Sequence, residues 1–117
     1  MPSKGKQLVR RLSELNEAAE HLRAVLLRYN EASGGVAALI DQGAHLVTAL
    51  QDLKGPERRS EVTYALGEFE AARHQVRLAM FALATEQGSS FSDLARALGI
   101  SRQLASRLAA EAQKTRQ

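Results

Sequence analysis

Two arginines, a glutamine and a serine near the C-terminus are spaced so that a helix would carry all four on one face. At about 100° per residue, that face holds Arg102, Gln103, Ser106 and Arg107. The opposite face is apolar, with Leu104, Ala105, Leu108 and Ala112. Arginine can bind guanine, and glutamine adenine, through paired hydrogen bonds in the major groove. The pattern therefore predicts base contacts from these four polar residues, and Arg107 could equally reach a phosphate.

The residues that precede this face would position it. The segment 90–101 reads Ser-Phe-Ser-Asp-Leu-Ala-Arg-Ala-Leu-Gly-Ile-Ser. Serines at 90 and 101 can cap two successive helices, and a glycine at 99 suits the left-handed turn between them. The residues expected to form the core of this helix-turn-helix pattern are Leu94, Ala95, Leu98, Gly99, Ile100 and Leu108.

Charge is distributed unevenly along the 117 residues, whose net charge is only +3. Residues 1–12 carry +4, residues 13–88 carry −4 and residues 89–117 carry +3. Basic segments attract phosphate, and an acidic segment repels it. In the last segment we expect phosphate contacts from four residues: Ser90, Arg96, Lys114 and Arg116.

The basic start of the chain has two interpretations. Its four cations are Lys4, Lys6, Arg10 and Arg11. They could form a flexible arm that contacts phosphates or a minor groove. They could also belong to a disordered start with no specific role.

Apolar periodicity and helix breakers predict an all-α fold of about five helices. The expected breaks are Ser33-Gly34-Gly35, Lys54-Gly55-Pro56, Gly88-Ser89-Ser90 and Gly99-Ile100-Ser101. They predict long helices over about 7–32, 36–53 and 57–86. Residues 1–75 would form an antiparallel helical bundle or coiled coil. Residues 76–117 would form a tri-helical helix-turn-helix unit that shares the long third helix.

The three long helices have unequal predicted lengths, so part of their apolar stripes would lack a partner within one chain. We therefore expect a homodimer through the N-terminal helices, although the stripes alone do not separate packing within a chain from packing between chains.

Other functional classes lack the residues they need. Cysteine is absent, and the three histidines form no metal-ligand spacing. No acid–base pair or nucleophile arrangement indicates an enzyme, and we expect no cofactor, no metal and no membrane partner. The expected location is the cytoplasm, in association with the nucleoid.

Residues 90–107 resemble a small family of bacterial, chiefly actinobacterial, helix-turn-helix proteins. The family motif has the form Ser-Trp-x-x-Ile/Leu-Ala-x-x-Leu-Gly-Val-Ser-Arg-Gln-Ala, and it is also similar to the DNA-reading region of sigma factors. Eight residues match as they stand: Ser90, Leu94, Ala95, Leu98, Gly99, Ser101, Arg102 and Gln103. Phe91 replaces the Trp, Ile100 the Val and Leu104 the final Ala. The resemblance covers only a small part of the 117 residues, and no family is recognised for residues 1–75.

The resemblance implies sequence-specific binding to double-stranded DNA, and with the expected dimer it predicts a dimeric transcriptional regulator. The alternative is a helical protein-interaction module. In that case the acidic bundle would bind a partner in the transcription machinery, such as a polymerase subunit or sigma factor, and the helix-turn-helix would serve for docking.

Overall fold

The computed structural model describes residues 3–114, and all of the regular structure in that range is helical. The helices are α1 (Lys4–Asp41), α2 (Leu46–Asp52), α3 (Gly55–Glu86), α4 (Phe91–Leu98) and α5 (Arg102–Lys114). The predicted all-α fold of about five helices is confirmed.

The predicted break at Ser33-Gly34-Gly35 is wrong, because α1 continues through it to Asp41. Neither glycine has a positive φ. Gly35 instead permits close packing: a Cβ added there would lie 2.8 Å from Cδ1 of Leu53. The signal taken for a helix end therefore marks a close approach between two segments.

The first helix ends at Asp41, and Gly43, two residues later, has a φ of 92°. The N–H of Ala44 donates to the carbonyl of Leu39, and the N–H of Gly43 donates to that of Ile40. This pair of bonds is the Schellman motif that commonly closes a helix. As a result α2 has only seven residues, and the predicted helix over 36–53 is also wrong.

The break between α2 and α3 lies where we expected it, although a different residue makes the turn. Lys54 takes the left-handed conformation, with a φ of 54°, whereas Gly55 and Pro56 already belong to α3. A proline suits the first turn of a helix because the N–H that it lacks would have no partner within the helix.

Contacts along the chain divide it into two compact units. We call residues 17–70 the acidic unit, and residues up to 16 together with those from 71 onward the basic unit. In the sequence, the segments 1–16 and 71–117 hold eleven Lys and Arg against four Asp and Glu, a net charge of +7. Residues 17–70 hold five basic and nine acidic residues, a net charge of −4.

The hydrophobic core of the acidic unit is small. Its buried apolar residues are Val25, Ala49 and Ala65. Two side-chain pairs join α1 to α3 here: Arg28 lies 3.5 Å from Glu61, and His21 lies 3.1 Å from Glu68. Because the earlier α1 residue pairs with the later α3 residue, the two helices run in opposite directions in this unit.

The basic unit has a larger core, which α3, α4 and α5 build together. Phe81 is fully buried at its centre, and its ring lies 6.4 Å from that of Phe91, a tilted aromatic contact. The buried residues of this cluster are Leu78, Phe81, Ala95, Ala105, Leu108, Ala109 and Ala112. Four half-buried residues pack around it: Leu94, Leu98, Ile100 and Leu104.

Candidate nucleic-acid interface

The turn between α4 and α5 is held by local hydrogen bonds at both ends. Gly99 has a φ of 70°, and the N–H groups of Gly99 and Ile100 donate to the carbonyls of Arg96 and Ala95. These bonds form another Schellman motif. The hydroxyl of Ser101 accepts from the N–H of Leu104 at 3.1 Å and caps α5. The start of α5 is therefore held in place relative to the end of α4.

Helix α5 has one buried and one exposed face. Its buried residues are Ala105, Leu108, Ala109 and Ala112. The exposed face carries the four residues predicted to contact bases: Arg102, Gln103, Ser106 and Arg107. Because the apolar face is occupied by the core, these four side chains are available to a ligand.

Arg102 is partly positioned by the preceding helix. Its Nη2 donates a hydrogen bond to Oγ of Ser92, at 3.2 Å. The side chains of Gln103 and Arg107 have no hydrogen bond or ion pair with any residue between 3 and 114. The face thus combines one oriented guanidinium with two groups whose donors remain free for an external partner.

The four residues predicted to contact phosphate differ in exposure and in their existing partners. The hydroxyl of Ser90 accepts from the N–H of Asp93 at 3.0 Å and caps α4, so its own proton remains available. Arg96 is exposed and lies 3.7 Å from the carboxylate of Asp93. Lys114 is the exposed last residue of α5. Arg116 lies outside the described residues.

The basic start of the chain is helical from Lys4 onward, so the expectation of a flexible or disordered segment is wrong for these residues. At 100° per residue, Lys6 and Arg10 lie on the side of α1 opposite Leu8. Leu8 lines a groove of about 440 Å³ together with apolar side chains of α3 and α4: Met80, Leu83, Ala84, Leu94, Ala97 and Leu98. The groove thus involves α4, the first of the two helices that carry the predicted motif.

Two of the four N-terminal cations already have carboxylate partners. Arg11 lies 3.0 Å from Glu14, and Arg10 lies 3.8 Å from the same side chain. Lys6 is exposed. Because one carboxylate serves two arginines, the segment keeps a net positive charge.

One contact between helices of the basic unit could not be predicted from the sequence. Nε2 of His74 on α3 lies 2.9 Å from Oε1 of Glu111 on α5, at hydrogen-bond distance. The two residues are 37 positions apart, so no local spacing rule could have paired them. The contact ties the C-terminal half of α5 to α3.

The described part of the chain offers no support for two other kinds of site. Between residues 3 and 114, no group of three or more His, Asp or Glu side chains is placed to hold a metal ion. Within the same range, every helix is too short or too polar to cross a membrane.

Comparison with known proteins identifies no relative. No protein-family model matches the chain, and no match was found among curated proteins or solved structures.

Proposed function

We propose that this protein binds double-stranded DNA in a sequence-specific manner and acts as a dimeric transcriptional regulator. The observation that carries the proposal is the division of α5 into two faces. One face is buried against α3 and α4, whereas the other exposes Arg102, Gln103, Ser106 and Arg107 to solvent. In a helix-turn-helix, the N-terminal residues of the second helix reach the base edges.

Electrostatics supports the same proposal. The segments that make up the basic unit carry a net charge of +7, and a concentrated positive charge attracts the DNA backbone over several ångströms. The basic start of the chain and the motif at its end belong to the same compact unit. Lys6 and Arg10 would therefore add phosphate contacts from the same unit.

The acidic unit supports self-association. It leaves nine large apolar side chains exposed: Leu26, Leu27, Tyr29, Ile40, Leu46, Val47, Leu50, Tyr64 and Leu66. It buries only three apolar residues, which is little for a unit of this length. A second copy covering part of this surface would supply the missing core.

For the dimer contact we favour the groove between α1 and α3. It has a volume of about 470 Å³ and is lined by Leu22, Leu26, Leu27 and Phe69 among others. In a twofold dimer the two copies of α5 would enter successive major grooves, roughly 34 Å apart on one side of the DNA. A DNA ligand of this kind would place the protein on the bacterial nucleoid, in the cytoplasm.

The decisive experiment is selection of bound sequences from random duplex DNA by the full-length protein. We expect an enriched inverted repeat whose binding weakens steeply with salt. The matched control is the Arg102→Ala, Arg107→Ala double variant, which keeps the core of the basic unit and should enrich no sequence. Failure of the wild-type protein to enrich any sequence, or binding that does not depend on salt, would contradict the proposal.

A second candidate function is a protein-interaction module that binds a transcription-machinery partner. The observation in its favour is the combination of net negative charge and exposed apolar side chains in the acidic unit. Under this function, substitutions on that surface would abolish activity in cells, and Arg102 and Arg107 would be dispensable.

A further inference from the structure

The acidic unit contains a cavity that neither DNA binding nor the proposed dimer contact uses. Its volume is about 810 Å³, within the range of about 300–1,000 Å³ that is typical of small-molecule sites. All three helices of the unit line it. Apolar side chains form most of its walls: Tyr29, Val36, Val47, Leu50 and Pro56.

The apolar side chains that line the cavity are exposed to water. Val47 is 66% exposed, and Tyr29 and Leu50 are each about 40% exposed. Apolar surface in a concave site gains free energy when a ligand displaces the water. The walls therefore favour a ligand with an apolar body.

The polar part of the lining is cationic. Arg58 and Arg59, in the first turns of α3, both line the cavity. Arg58 has a long contact of 3.5 Å to Glu61. Arg59 is exposed and has no ion pair with any residue of the described range. The acidic unit has a net charge of −4. The two adjacent guanidinium groups therefore make this cavity locally positive within a negatively charged unit.

The backbone adds to this preference for negative charge. The first N–H groups of a helix lack partners within the helix and carry partial positive charge. Gly55, the first residue of α3, lines the cavity beside the arginines and carries such an N–H, whereas Pro56 next to it has none. Lys54, just before them, holds a left-handed backbone conformation that is costly for a residue with a side chain.

From this geometry we infer that the cavity binds a small amphipathic carboxylate, with its chain against the apolar walls and its carboxylate on Arg59 and the start of α3. Arginine is suited to this role because its planar guanidinium can form two parallel hydrogen bonds to a carboxylate. The inference goes beyond the proposed function and does not depend on it, because the site lies within residues 29–60 and its test requires no DNA.

The test is a titration of the full-length protein with octanoate, followed by two-dimensional ¹H–¹⁵N NMR. 1-Octanol and octylammonium serve as the neutral and cationic probes of equal chain length. We expect octanoate to cause saturable shifts in the amides of residues that line the cavity, such as Ser33, Val47 and Gln51. Octylammonium should not bind there, and 1-octanol should bind more weakly by about tenfold or more, because it lacks the charge-assisted hydrogen bonds.

Two variants separate a carboxylate site from nonspecific attraction. Arg59→Gln should weaken octanoate binding by about tenfold or more. Arg77→Gln removes the same charge at a residue of the basic unit that lines neither the cavity nor the other groove, and should leave octanoate binding unchanged. Wild-type-like ¹H–¹⁵N spectra without ligand will show that both variants are folded.

Several results would overturn the inference. Equal affinity for octanoate and 1-octanol would mean that the cavity recognises only an apolar chain. Shifts centred on Leu22 and Phe69 would place the ligand in the other groove. An absence of octanoate binding, together with loss of self-association in Val47→Glu, would mean that a second copy of the chain covers the cavity.

Discussion

The guanidinium of Arg102 donates a hydrogen bond to the hydroxyl of Ser92, so the first residue of α5 is tied to the second residue of α4. The two side chains are ten positions apart, and the tight turn at Gly99 brings them together. The contact limits the freedom of the arginine that we expect to read a base.

This relationship predicts different effects for the two partners. Arg102→Ala and Gln103→Ala should each cost about 1–3 kcal/mol at the selected DNA site, since each removes a direct base contact. Ser92→Ala should cost less, because it removes only the group that orients Arg102. Fluorescence anisotropy with the selected duplex measures these affinities. Equal losses on the selected and on unrelated DNA would show that Arg102 contacts phosphate.

The salt dependence of binding should identify which cations meet the DNA backbone. Lys6→Gln and Arg10→Gln should each reduce the slope of log Kobs against log salt concentration by about 0.9, if each cation neutralises one phosphate. Arg59→Gln, in the acidic unit and outside the proposed dimer groove, is the control and should leave the slope unchanged. An unchanged slope in both N-terminal variants would exclude the start of α1 from the interface.

The two neighbouring glycines of α1 should respond in opposite directions to alanine. A Cβ at Gly34 meets nothing within 4 Å, so Gly34→Ala should raise the free energy of unfolding by about 0.5–1 kcal/mol. Gly35→Ala should lower it, because displacing Leu53 costs about 1–3 kcal/mol and exceeds the gain in helix propensity. Urea unfolding of the two variants under the same conditions tests the difference. Equal stabilisation by both would mean that Leu53 adapts freely.

The left-handed turn at Gly99 should tolerate asparagine better than alanine. Its φ of 70° is costly for residues with a Cβ, and Gly99→Ala should lose about 1–2 kcal/mol of stability. Gly99→Asn should lose less, since asparagine adopts this conformation more readily. Thermal unfolding measured by circular dichroism ranks the three proteins. An alanine variant as stable as the wild-type protein would contradict the turn geometry.

Self-association should depend on the groove between α1 and α3. Leu26→Glu, in the groove, and Leu66→Glu, one helical turn before the groove residue Phe69, should each shift the protein to a monomer. A carboxylate in an apolar interface loses its hydration without gaining a partner. Tyr64→Glu is the matched control: Tyr64 is 68% exposed and lies on the opposite side of α3 from Leu66. Analytical ultracentrifugation distinguishes the species. A monomeric wild-type protein would refute the dimer itself.

The C-terminal helices were predictable because their signals are local. Capping serines, a glycine at the turn and the two faces of α5 all lie within about 25 residues, and each acts through bonds between near neighbours. The positions of Ser90, Gly99 and Ser101 in the structure agree with these predictions. No such local rule could have paired Ser92 with Arg102 or His74 with Glu111.

The amino-acid sequence by itself determined the all-helical fold, the number of helices and the division of α5 into two faces, because periodicity and helix ends are properties of short segments. It did not distinguish a glycine that ends a helix from one that admits a neighbouring leucine, as at Gly35, because the difference lies in Leu53, 18 positions away. Likewise, only packing between distant segments brings the basic start and end of the chain into one unit. The energy of such contacts depends on which surfaces meet, and that information belongs to the tertiary structure.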